Sequence, residues 1–125
     1  MRRDARTYLW DAKDACQAIL GFVAGLDASG YANNPLVHSA VERKFEIIGE
    51  ALNQLSKTDA ALGARISDLA QIVAFRNQLI HGYAVIDHAT VWHTIQSGLP
   101  RLLATVSELL EELGADLAGK EAERG

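Results

Sequence analysis

Apolar residues recur along this chain at steps of three and four, the spacing of helix faces. Tyr8, Ala12, Ala15, Ile19, Phe22 and Leu26 alternate steps of four and three, which predicts one apolar face on a helix over about 4–26. The stretch GLDASGYANNP breaks that period, because Gly30 and Pro35 are poor interior helix residues and Asn33 or Asn34 can cap the next helix. Val37, Val41, Phe45, Ile48, Leu52 and Leu55 predict a second helix over about 35–56, with Glu42, Glu46, Glu50 and Lys57 on its other side. SKTDAALGARISD reads as a connection with room for a short helical turn. Ser67 can cap a third helix over about 68–80, ended by His81 and by Gly82, a residue suited to left-handed backbone at a helix C-terminus. Asp87 can cap the fourth, whose seam of Trp92, Ile95, Leu99, Leu102, Val106, Leu109 and Leu113 lasts about six turns. Gly98 and Pro100 interrupt it, and a bend is expected there because proline lacks the amide hydrogen and crowds the preceding turn. Past Leu113 the seam stops, and the tail after about 114 is expected to fray.

No strand pair, repeat or low-complexity tract is legible. The pattern predicts one all-α domain over residues 1–125, a bundle of four main helices with a short fifth allowed in the connection. The long fourth seam can continue into a partner subunit.

Composition narrows the function classes. Apolar residues make up 49% of the chain, which excludes general disorder, and 12 basic residues face 16 acidic ones for a net charge of -4. That balance provides no general attraction to a phosphate backbone, so nucleic-acid contact requires a local basic patch or a partner's charge. Cys16, the single cysteine, cannot form an internal disulfide and reads as a small buried side chain in a reduced compartment. No apolar run approaches the length of about 18 residues that a membrane span needs, and the opening MRRDARTYLWDAKDA, which carries acids throughout, is unlike a secretory signal. A cytoplasmic location, away from the membrane, is expected.

Candidate chemistry is sparse. CxxC, HExxH, GxSxG and a glycine-rich phosphate loop are all absent. His88 and His93, five apart, diverge by about 140° on one helix, so they read as exposed or helix-end groups and no metal site is expected. The distinctive stretch is RNQLIHGY, Arg76 to Tyr83, which closes the apolar run LAQIVAF with an arginine, a histidine and a tyrosine. Two readings fit it. Arg76 and Tyr83 can pair with Glu50, Asp87 or a carbonyl while His81 meets the negative end of the helix dipole. Alternatively, Arg76 holds a phosphate and His81 moves a proton, since a guanidinium suits phosphate and imidazoles exchange protons near neutral pH. Composition does not choose between them.

A resemblance does bear on the choice. RRDARTYLWDAKDACQAILGFVAGL, AVERKFEIIGEALNQLS (Ala40 to Ser56) and FRNQLIHGYAVIDHATVWHTIQSGLPRLL (Phe75 to Leu103) resemble three blocks of the HepT-like branch of the HEPN superfamily. The family's motif of arginine, a polar residue, three positions, histidine, one residue and tyrosine maps onto Arg76, Asn77, His81 and Tyr83 without insertion. The chain departs from it between the second and third helices, where many relatives carry a proline and a tryptophan and ARISDLAQIVAF has neither. The resemblance implies a HEPN-type antiparallel bundle, homodimeric, with both copies of the motif lining a shared cleft. It further implies the toxin of a type VII HepT/MntA-like toxin-antitoxin system, a metal-independent endoribonuclease encoded beside a nucleotidyltransferase-like antitoxin. That partner would use ATP and Mg to transfer AMP to Tyr83, silencing a nuclease that itself needs no cofactor.

On that reading Arg76 and His81 are catalytic in cleaving RNA through 2′-hydroxyl attack, with Asn77, Glu50 and Tyr83 in support. Asn77 either orients the phosphate or holds the helix end, and Glu50 either orients His81 or pairs with Arg76. Arg43, Lys44 and Arg65 are further basic groups that can assist. The alternative is a non-catalytic protein-binding module of a toxin-antitoxin complex, using the stripes from Tyr8 to Leu26 and from Trp92 to Leu113.

Overall fold

Helix starts in this chain are set by short polar side chains that replace missing backbone partners. The computed structural model describes residues 4–82 and 86–124, with side chains as far as 114. Seven helices run in order: α1 (Ala5–Phe22), α2 (Ala28–Ala32), α3 (Pro35–Thr58), α4 (Ala60–Ala64), α5 (Leu69–His81), α6 (His88–Gln96) and α7 (Gly98–Arg124). Asp4, Asp27, Asn34, Asp59 and Asp87 each accept a backbone N–H from the first turn of the helix they precede, at 2.7–3.2 Å. Pro35 then occupies the first turn of α3, where its missing N–H costs nothing.

The third long helix starts differently from the expectation. Asp68, and not Ser67, is the N-cap of α5, and it makes no capping bond. Its carboxylate instead accepts from Arg101 of α7 at 2.7 Å, tying the start of α5 to the neighbouring helix. The expected bend near Gly98 and Pro100 is a complete break that divides the fourth segment into α6 and α7. Proline at 100 cannot donate to the carbonyl of Gln96, the residue where α6 ends. Two five-residue helices, α2 and α4, occupy the connections. The backbone of α7 stays helical to Arg124, past the end of the apolar seam.

Helix α1 packs on α3 and α7, α3 carries α5 on another side, and α2 joins α3 to α6. Leu9, Cys16 and Ile19 of α1, Val41, Ile48 and Leu52 of α3, and Ile95, Leu99 and Val106 beyond them form one continuous core. The fold is thus an all-α, HEPN-type helical bundle, with no strand among the described residues. Burial pushes the Cys16 thiol up to about 12, so this side chain is an inert core filler. No described helix is long and apolar enough to cross a membrane.

Helix α5 departs from the sequence pattern. It carries LAQIVAF yet has no buried residue, because within one chain it is covered chiefly by α3. Phe75 packs edge-on against Phe45 with ring centroids 5.3 Å apart, while Ile80 stays 47% exposed.

Candidate active site

The closest approach of α5 to α3 is made possible by a missing side chain. A Cβ on Gly49 would lie 2.7 Å from Cγ of Arg76 and nearer still to its Cβ, so only glycine lets Arg76 lie across α3 at this level. One residue further along α3, Glu50 accepts an ion-paired hydrogen bond from Nη2 of Arg76. Asn77 accepts from Nη1 of the same guanidinium at 2.8 Å, and Glu50 also accepts from Gln54 at 3.2 Å. Arg76 is mostly buried, at 23% side-chain exposure, and its Nε has no hydrogen-bond partner among the described residues. A guanidinium gripped on two nitrogens by two side chains is fixed in orientation.

The sequence left two roles open for Glu50 and two for Asn77. In this structure Glu50 pairs with Arg76, and Asn77 turns its amide oxygen to Arg76. His81 is the last residue of α5 and is exposed. Gly82 follows with φ 61°, in the left-handed region, and its N–H closes the helix on the carbonyl of Gln78 at 2.9 Å. Tyr83 lies outside the described residues.

Arg76 borders a cleft of about 440 Å³ between α1, α3 and α5. Its charged lining comprises Arg43 and Arg76 against Asp11, Glu46 and Glu50, so one chain alone presents more carboxylates than guanidiniums there. Arg43 is paired with Glu46 at 3.0 Å. His81 is not part of this lining, and Arg65 is engaged elsewhere, donating to Glu112 of α7 at 2.8 Å. The cleft of a single chain therefore gathers Arg76, Glu50 and its neighbours, with His81 set at the adjacent helix end.

Gly49 and Gln54 were not legible as site residues. A glycine in mid-helix, four residues after Phe45 in the buried stripe, was the available signal for a close helix crossing.

The histidines are also less scattered than the sequence suggests. His88 pairs not with His93 but with His38 of α3, their rings stacked with centroids 3.9 Å apart and planes at 21°. Glu42, one turn after His38, places its carboxylate 3.7 Å from Nδ1 of that ring.

The chain is similar to known proteins over most of its length. The family profile described as "Ribonuclease HepT-like" matches residues 12–109, a span that includes Glu50, Arg76, His81 and Tyr83. "Putative RNase MJ1216" of Methanocaldococcus jannaschii is 28% identical over 120 residues, covering 96% of this chain and 95% of that protein. "Putative RNase TTE0752" of Caldanaerobacter subterraneus subsp. tengcongensis is 29% identical over 107 residues, covering 86% and 95%. "Probable ribonuclease HepT" of Thermococcus cleftensis is 28% identical over 109 residues, covering 87% and 98%. No solved structure matches the chain. With the profile spanning most of its length, the chain belongs to the HepT-like ribonuclease family.

Proposed function

We propose that this protein is a metal-independent endoribonuclease and the toxin of a toxin-antitoxin pair. The observation that carries the reading is the guanidinium of Arg76, fixed by Glu50 and Asn77 at a cleft edge on the helix that ends in His81. The names of these relatives, each containing RNase or ribonuclease, support the substrate class.

In the proposed reaction the 2′-oxygen of a ribose attacks the adjacent phosphorus, the bond from phosphorus to the 5′-oxygen breaks, and a 2′,3′-cyclic phosphate forms beside a 5′-hydroxyl. One imidazole accepts the 2′-hydroxyl proton, and a proton donor neutralises the leaving 5′-oxygen. Arg76 stabilises the charge that builds on the non-bridging oxygens. A single His81 serves one proton transfer at a time. A homodimer supplies two, which assigns base and acid to the two copies.

Glu50 neutralises Arg76 within one chain, so a phosphate must displace that carboxylate to bind, and a dimer offers two such guanidiniums, each with its own Glu50. The partly covered flank of α5, with Val73 half-buried and Ile80 exposed seven residues on, is the surface assigned to the partner copy. Tyr83 is proposed as the acceptor of AMP from a nucleotidyltransferase antitoxin using ATP and Mg, the added negative charge near Arg76 then opposing RNA binding.

The test is incubation of the purified, unmodified protein with labelled single-stranded RNAs and tRNAs in EDTA, reading product ends. Cyclic phosphate ends are expected, with His81→Ala slower by about 10²–10⁴-fold, the usual share of a general acid or base. No cleavage by a folded dimer on any substrate would favour a protein-binding module instead, for which the exposed apolar flank of α5 is the supporting feature.

A further inference from the structure

Where α2, α3 and α6 meet, away from the cleft lining, three side chains converge that the ribonuclease reading does not use. We propose that His38, Glu42 and His88 form a binding site for one divalent transition-metal ion, zinc by its ligand chemistry.

One ligand atom from each of the three residues lies within 4.8 Å of the others. Around a tetrahedral zinc with bonds of about 2.0–2.2 Å, ligand atoms sit roughly 3.3–3.6 Å apart, so a closure of about 1 Å by side-chain rotation assembles the site. His38 and Glu42 are four residues apart on α3, which presents both on one face of a rigid helix. His88 is the first residue of α6, and the Asp87 cap fixes the backbone that carries it.

The cluster has two polar atoms that nothing among the described residues satisfies. Nδ1 of His88 and the hydroxyl of Tyr31 are both buried without a hydrogen-bond partner, a costly arrangement for a bare apolar junction. Tyr31 is fully buried and packs its ring edge toward both imidazoles, at centroid distances of 6.0 and 6.2 Å. Its hydroxyl is a donor suited to a carboxylate or to a metal-bound water rather than a direct ligand.

Two imidazoles and one carboxylate select the ion. Magnesium and calcium take oxygen ligands, whereas zinc and its neighbours accept ring nitrogen. Three protein ligands leave a fourth position for water. The bound ion would tie the first turn of α6 to α3, a structural role, since none of the three residues lines the cleft.

The test uses the full chain without an affinity tag, stripped with a chelator and dialysed, then titrated calorimetrically with zinc chloride and, separately, magnesium chloride. One zinc per chain is expected, with a raised melting temperature, and magnesium is expected to do neither. His88→Ala and Glu42→Gln should each weaken zinc binding by on the order of 100-fold or more, since loss of a mere outer partner already costs roughly 10–100-fold. His93→Ala, on the same helix but outside the cluster, should leave affinity unchanged. Glu42→Gln keeps the side-chain shape and decides the matter if His88→Ala fails to fold. Absence of saturable zinc binding, or binding that survives Glu42→Gln but is lost in His81→Ala, would overturn the proposal. The readout is binding and melting, so its failure and that of the ribonuclease reading are separate events.

Discussion

Arg76 owes its position to Gly49 as much as to its own charge. Replacing an exposed helical glycine with alanine ordinarily gains up to about 1 kcal/mol. At Gly49 the added methyl meets the stem of Arg76, and overpacking of this kind costs about 1–3 kcal/mol, so the clash outweighs the gain. Gly49→Ala is therefore expected to lower the denaturant midpoint modestly while reducing cleavage more than stability explains, because the displaced guanidinium leaves Glu50. Equal stability and full cleavage would mean that α5 tolerates a shift at this crossing. Arg76→Lys tests the same site by chemistry: an ammonium keeps the charge and loses the two-nitrogen grip on Glu50 and Asn77, so cleavage should fall with the fold intact.

The start of α6 carries an electrostatic signature. Hydrogen bonds from the hydroxyl of Thr90 and then the N–H of Ala89 hold the Asp87 carboxyl below its ordinary value. A carboxyl lowered in the folded state stabilises the helix start above the ordinary value of 3.8, and that contribution is lost as pH falls from there to the lowered value. Protection factors of the α6 amides, which correct for the intrinsic slowing of exchange in acid, should accordingly fall as the pH is lowered in the native chain, while Asp87→Asn, which still caps, should remove that dependence. The two neighbouring helix boundaries teach different lessons. Pro100 ends α6 by simple covalent chemistry, whereas the start of α5 depends on a contact with Arg101, which is remote in sequence.

For the whole molecule, the decisive feature is a helix that is apolar in composition and only partly covered in one chain. If the proposed dimer covers the flank of α5, Val73→Asp should convert a dimer to a monomer in sedimentation, since an uncompensated carboxylate in an apolar interface is strongly disfavoured. Cleavage should fall with it, because each cleft would lose its second His81. A dimer that persists unchanged in Val73→Asp would place the interface on another face.

Periodicity alone determined that the chain is helical, where α1, α3 and α5 run and which stripe of α3 is buried. Those properties arise from local geometry: apolar spacing, capping aspartates and asparagines, a left-handed Gly82 and an interrupting Pro100. Spacing also singled out Arg76 and His81 as a motif, and the resemblance gave that motif its expected chemistry. Only the tertiary structure decided that Glu50 pairs with Arg76, that Gly49 makes their crossing possible, and that α5 is left without a buried residue. It alone brought His38 against His88, residues separated by the whole of α4 and α5. Contacts between distant residues depend on how helices cross, and a pattern along one helix specifies its own buried face without naming the neighbour that buries it.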